Sequence, residues 1–390
     1  MSLCINPQCK QQHNSDSTIF CNGCGSELLI DGRYRVVREL GHGGFGTAYE
    51  AVDFNYRPWV LKVLTDNHPK YVELFQQEAE ILSILNHSGI PKIDLDGYFT
   101  YFPEAREEPL HCLVMEKIEG LDLAEYIKQR GDRPIKFKRA LRWLAELILI
   151  LERVHQHNFF HRDIKPSNIM LKANGCLMLI DFGTVREVTL SYINKKAAGD
   201  ITGVVSHGYT PIEQMRGKAV FQSDFYALGS TMIFLLTAQN PGNFYDFSDN
   251  KFYWNQADTD VPSLFIDLIE RMTAFSPAKR PATAREIFNQ IVAIDSSLQI
   301  LDEHHTSTVE ARSHLTKAIV TFPQYSSSIT PEFIEHCRLE LAQYIGPMAS
   351  IICKRTVREN PNISQTELCM ALAKTISDPQ QAKDFQRRLI

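Results

Sequence analysis

His161-Arg162-Asp163-Ile164-Lys165-Pro166-Ser167-Asn168, with Leu179-Ile180-Asp181-Phe182-Gly183 a short way downstream, decides how this chain is read. The second stretch is an apolar strand ending in an aspartate, a phenylalanine and a glycine. Its carboxylate and the Asn168 amide are hard oxygen donors of the kind a magnesium ion takes. Asp163 can accept the proton of a hydroxyl, and Lys165 brings a compact charge that can follow a moving anionic group. The same residues could also persist in a site that had lost its activity.

Upstream lies Gly41-His42-Gly43-Gly44-Phe45-Gly46, a GxGxxG pattern. In a dinucleotide-binding fold such glycines follow one strand and open a helix. Here Thr47–Val52 continues as a second strand, so the glycines form a hairpin. Lacking side chains, that hairpin can lie against a triphosphate and offer backbone N–H groups, although a plain flexible turn would look alike. Lys62 then sits in an apolar strand between Leu61 and Val63, where an ammonium needs an opposite charge. Glu78 follows sixteen residues later on a helix whose Phe75, Ala79, Leu82 and Leu85 share one face. Glu80, two positions on and on a different face of the helix, is the rival partner.

Taken in order, these stretches over residues 34–295 resemble a eukaryotic-like (Hanks-type) serine/threonine protein kinase domain, of the kind found in bacteria and especially cyanobacteria. The resemblance implies an α+β bilobal fold, with a β-rich N-terminal lobe and a helical C-terminal lobe. It implies ATP and Mg2+ as cofactors, with Asp163 as catalytic base beside Lys165 and a Lys62–Glu78 ion pair. ATP would lie against Gly41, Gly43, Gly46, Ala48 and Lys62, and Asn168 and Asp181 would hold the magnesium. Leu113-Val114-Met115-Glu116-Lys117-Ile118 resembles the hinge, with Met115 as gatekeeper and adenine on the backbone of Glu116 and Ile118. Gly208–Glu213 resembles the end of an activation segment, Asp224–Gly229 the helix anchoring the catalytic loop, and Pro277–Pro281 a late arginine motif. That set implies a Glu213–Arg280 ion pair. Lys165 and the Ser206 hydroxyl point to the serine/threonine branch, and Thr202, Thr189 and Ser191 are candidate phosphorylation sites that Arg162 could receive. Ala48, Leu61, Val205 and Ile212 depart from the family's usual valine, alanine, glycine and proline, and none of them removes a charged group. The implied activity is transfer of the ATP γ-phosphate to Ser/Thr of proteins, with autophosphorylation. A pseudokinase scaffold and a small-molecule kinase are the alternatives, and Lys165 with the segment through Glu213 favours protein substrates.

Residues 1–29 have another character. Cys4, Cys9, Cys21 and Cys24 form two short-spaced pairs, which read as a small zinc ribbon; a metal-free thiol/disulfide switch is the alternative. A complete four-sulfur set leaves His13 no ligand role. So short a segment needs such a staple to fold. The arrangement resembles the N-terminal cysteine motif of some cyanobacterial kinases. Cys112, Cys176, Cys337, Cys353 and Cys369 are scattered singly and read as small buried hydrophobes.

The remaining chain fits these readings. Its 390 residues, 44% hydrophobic and 22% charged, suit a soluble protein of two large units, or of one large unit with small appendages. A net charge of −5 argues against nucleic acid as a partner. No apolar run is long enough to span a membrane, and the first residues lack the pattern of a signal peptide, so a cytoplasmic location is expected. Residues 296–330 read as a linker with a helix near Val309–Val320, and residues 331–390 as a small helical domain. Thr330-Pro331-Glu332, the Ser364–Glu367 capping box and Asp378-Pro379 mark its helix starts, and it could serve as a helical cap or recruit partner proteins.

Overall fold

The computed structural model describes residues 2–43, 46–104, 106–184, 186–187, 206–255, 261–302, 331–345, 349, 352–353, 356–357, 360, 363–376 and 378–389. The helix expected near Val309–Val320 and the candidate sites Thr189, Ser191 and Thr202 lie outside the described residues, as does Val205. The chain divides into two compact units. One comprises Met1–Glu80, Ile93–Lys117 and Arg312–Ile390, the other Ile81–Lys92 and Ile118–Ala311.

The first unit is built on antiparallel strands. β1 (Ser2–Leu3) pairs with β2 (His13–Asn14) near the N-terminus. β3 (Leu29–Ile30), β4 (Tyr34–Gly43), β5 (Gly46–Val52), β6 (Pro58–Leu64), β7 (Ile93–Tyr101) and β8 (Leu110–Glu116) form one six-stranded sheet in the order β3-β4-β5-β6-β8-β7. Alternation sets its faces: Tyr49 and Ala51 of β5 and Trp59, Leu61 and Val63 of β6 are buried at every second position. α1 (Pro69–Ile84) joins β6 to β7, and its Phe75, Ala79 and Leu82 are buried, as is Leu85 just beyond its end.

The boundary expected after residue 29 does not separate two bodies. Ile30 pairs with Tyr34 around a turn in which Asp31 and Gly32 both take positive φ, so β3 is the edge strand of the main sheet. Leu3 and Ile5 belong to the same core cluster as Tyr34, Val36, Trp59, Phe99, Tyr101 and Val114.

The second unit is mostly helical. β9 (Gly120–Asp122), β10 (Ile169–Lys172) and β11 (Leu177–Leu179) form a small sheet. α2 (Leu123–Gln129) is capped by the Asp122 carboxylate, which accepts from the Ala124 and Glu125 N–H groups. In α3 (Phe137–Gln156) every residue from Leu144 to Leu151 is buried, and Glu146 among them is met by Arg142 and the Leu177 N–H. α4 (Phe221–Thr237), α5 (Ser263–Met272) and α6 (Ala284–Ile294) complete it. Helical structure runs past the expected edge at Asp295 to residue 302, where Asp302 binds Arg285; only residues 303–330 of the expected linker remain outside the described residues.

The C-terminal helices α7 (Pro331–Ile345), α8 (Gln365–Ala373) and α9 (Pro379–Leu389) share a core of Cys337, Leu341, Cys353, Leu368, Cys369, Leu372 and Phe385. Ser364 and Glu367 cap α8 reciprocally. Of the five scattered cysteines four are buried, but Cys176 is exposed, because it lies in the Asn174-Gly175 turn between β10 and β11.

Candidate active site and metal centre

In the first unit the β4–β5 hairpin pairs Gly41 with Ala48, His42 with Thr47 and Gly43 with Gly46. His42 Nδ1 lies 2.8 Å from Thr47 Oγ1, which braces the hairpin near its tip. A Cβ on Gly46 would sit 2.1 Å from the Val63 carbonyl oxygen, so only glycine lets β5 approach β6 there. Lys62 stands opposite Ala48 in register, between the fully buried Leu61 and Val63. Its Nζ donates to Glu78 Oε1 at 2.6 Å. Glu78 is only 3% exposed, so its charge requires that ammonium. Met115 is buried on β8 opposite Val60, Glu116 follows opposite Trp59, and Ile118 is half-buried.

In the second unit the loop after α3 is held from beneath. Asp224 of α4, wholly buried, accepts from the backbone N–H of both His161 and Arg162 at 2.8 Å, and from His155 Nε2. Gln214 Nε2 donates to the Arg162 carbonyl at 2.6 Å, and Arg162 itself takes a positive φ of 72°. These bonds fix an unfavourable backbone turn and project Asp163. His161 Nε2 meets the Ile180 carbonyl, and its ring packs edge-on against Phe182. Burial drives the His161 pKa down, against the pull of Asp224, Asp163 and Asp181.

The Asp163 carboxylate is placed by every group around it. Oδ2 accepts from Lys165 Nζ at 2.7 Å and Asn168 Nδ2 at 2.9 Å; Oδ1 accepts from the Ser206 hydroxyl at 2.7 Å. Asn168 also donates to the Asp163 carbonyl, so both of these bonds use its amide nitrogen. The Asn168 carbonyl accepts from the Ile180 N–H, tying this loop to the segment that leads from β11 to Asp181, where φ is +66°. Farther on, Arg280 grips Glu213 with two nitrogens, at 2.6 and 3.2 Å, while donating to the carbonyls of Ala274, Gln222 and Phe275.

Sequence reasoning missed the roles of Gln214, His155 and Ser26. The first two carried no signal, because each acts on backbone or on a carboxylate more than fifty positions away.

The four N-terminal sulfurs lie within 4.8 Å of one another, with Cys4–Cys24 and Cys9–Cys21 each at 3.6 Å. A disulfide would require about 2.05 Å. Tetrahedral zinc with bonds near 2.3 Å sets sulfurs about 3.8 Å apart, which this cluster fits. Burial would raise Cys21, but the Gly23 N–H and the Asn14 amide donate to its sulfur and hold it down at about 6. Burial dominates at Cys4 and pushes that thiol up. Ser26 Oγ lies 3.1 Å from Cys24 Sγ.

Comparison with known proteins agrees with this geometry. Residues 34–292 match the protein kinase domain family, and residues 332–390 match a domain of unknown function. Serine/threonine-protein kinase F of Synechocystis sp. is 33% identical over 317 residues, which cover 73% of this chain and 62% of that protein. Serine/threonine-protein kinase PknA of Nostoc sp. is 36% identical over 279 residues, 68% and 48% of the two chains. PrkC of Bacillus subtilis is 29% identical over 302 residues, 74% and 44%. The chain thus spans about half to three fifths of the length of these relatives. With the family matched from the first long strand through α6, and the Asp163 loop and the Lys62–Glu78 bridge in place, the chain belongs to the protein kinase family.

Proposed function

We propose that this chain transfers the γ-phosphate of ATP to serine or threonine hydroxyls of proteins, itself included. The observation that carries this reading is the Asp163 carboxylate. Two donors hold Oδ2, while Oδ1 accepts from a serine hydroxyl at 2.7 Å, the same kind of contact a substrate hydroxyl would make with a general base. Lys165 would neutralise the transferring group, Lys62 would bind the nucleotide phosphates with Glu78 fixing its position, and the hairpin of Gly41, Gly43 and Gly46 would cover them. Ala48, Met115, Glu116 and Ile118 are read as adenine contacts. The protein kinase family uses ATP and Mg2+; Asn168 and Asp181 are the oxygen donors that would hold that cation here, where it neutralises phosphate charge. The four cysteines are read as a structural zinc site, which suits a reducing, cytoplasmic setting. Residues 34–295 are read as the kinase domain and residues 331–390 as an appended module that caps the chain or recruits proteins.

The test is incubation of the purified chain with radiolabelled ATP, magnesium and a bacterial extract. Phosphoserine and phosphothreonine should appear on protein, and should vanish with Asp163→Asn. Label that persists in the variant, or that enters only small molecules, would overturn the reading.

A further inference from the structure

The cysteine segment is welded to the sheet at five places. Leu3 and Ile5 flank Cys4 directly and are buried in the cluster of Tyr34, Trp59, Phe99 and Tyr101, so whatever fixes Cys4 also fixes two core side chains. β3 extends the main sheet. Tyr101 Oη donates to the Glu27 carbonyl at 2.7 Å, and Arg35 Nη1 donates to the Thr18 carbonyl at 2.9 Å. The fifth junction is Ser26, a hydroxyl only 1% exposed. Its Oγ accepts from the Glu104 N–H, in the loop between β7 and β8, at 2.9 Å and lies 3.1 Å from Cys24 Sγ. Asn6 Nδ2 grips the same residue from the other side, donating to the Glu104 carbonyl at 3.2 Å.

We infer that metal held by the four cysteines is a folding element of the whole strand-rich unit, and that Ser26 is the positioning residue joining the metal's sulfur shell to the β7–β8 loop. The inference rests on the zinc reading above. A metal-bound cysteine sulfur carries no proton, so the hydrogen bond to Cys24 is then donated by Ser26, whose oxygen stays with the Glu104 N–H. Donors to ligand atoms orient the ligand and tune its hold on the metal, and removing one typically weakens binding about 10–100-fold. Loss of metal frees Cys4, and with it Leu3 and Ile5 leave the core that supports β6, the strand of Lys62. A separate metal bead on a tether would produce none of this.

The experiment uses the full chain. Zinc is measured first, then amide hydrogen exchange is followed before and after a strong chelator. Metal removal should speed exchange at least tenfold in residues 34–64 and 93–116 as well as 2–30, while residues 137–156 and 221–237 stay as they were. Faster exchange confined to residues 2–30 would overturn the inference and leave the zinc site standing. Protein that neither carries zinc nor takes it up on titration would overturn both. Ser26→Ala should bind one zinc but release it to chelator about tenfold faster, with faster exchange near residues 98–111, and Ser26→Thr, which keeps the hydroxyl, should restore both. Wild-type release kinetics in Ser26→Ala would remove Ser26 from this role.

Discussion

Asp163 is the carboxylate on which Lys165, Asn168 and Ser206 converge, so its own removal should be the cleanest single-residue test. Asp163→Asn is expected to lower phosphoryl transfer about 10²–10⁴-fold, the usual worth of a positioned base, with nucleotide binding nearly kept. Initial rates and nucleotide titration check the two halves separately. Arg280 poses the opposite case, a residue whose loss should be read in stability. Its side chain is wholly buried and serves Glu213 and three carbonyls. Among the described residues, Arg280→Met leaves the Glu213 charge with the Ser223 hydroxyl alone, and should cost about 3–5 kcal/mol in urea unfolding. At this scale the sequence was informative where a charge sat in an apolar strand or a fixed motif, as with Lys62 and Glu78 or Glu213 and Arg280. It was silent where a polar side chain bonds backbone, as Gln214 and Ser26 do, because any residue type can own the carbonyl or N–H at the other end.

Among the elements, α1 matters most, because it carries Glu78. Its seat on the sheet is visible: Phe75 packs against Tyr98, and Gln76 Nε2 donates to Tyr98 Oη at 3.2 Å. That oxygen is 2.6 Å from His111 Nδ1, so a hydroxyl accepting from Gln76 is left to donate to a neutral imidazole. Tyr98→Phe removes the shared oxygen from two half-buried polar groups and should destabilise the chain by about 0.5–1.5 kcal/mol. It should also reduce activity more than nucleotide affinity, as kinetics at varied ATP would show. Burial lowers the His111 pKa, so the folded chain binds its proton less readily than the unfolded chain does. Stability therefore falls as pH drops below about 6.5 toward the folded-state value, by at most about 1.4 kcal/mol per pH unit. His111→Gln should flatten that part of the profile between pH 7 and 5. None of this was legible beforehand; helical spacing placed α1, but β7 and β8 were not read from the sequence, and only their register brings Tyr98 beside His111.

At the scale of the molecule, the sequence separated the strand-rich and helical parts well, because two-residue alternation gives way to long apolar stripes after residue 137. It placed the outer boundaries less well, since composition changes at a boundary only when exposed residues replace buried ones. Residues 1–30 are polar on average, yet Leu3, Ile5, Leu28 and Ile30 are all buried. At the other end Ser296 and Ser297 resemble a linker, yet Leu298 is buried and Asp302 shares Arg285 with Glu152. A truncation series tests which edge is physical. A chain ending at Asp302 keeps Leu298 and both partners of Arg285. A chain ending at Asp295 exposes that guanidinium on one side and deletes Leu298. The Arg285–Asp302 pair is partly exposed and worth at most about 1 kcal/mol. Leu298, 9% exposed, adds about 1.5–3 kcal/mol for a buried leucine. The shorter chain should therefore unfold at lower urea by about 2–3 kcal/mol relative to the longer one, with Asp302→Asn in the longer chain giving the smaller share. Equal midpoints for the two truncations would return the boundary to Asp295.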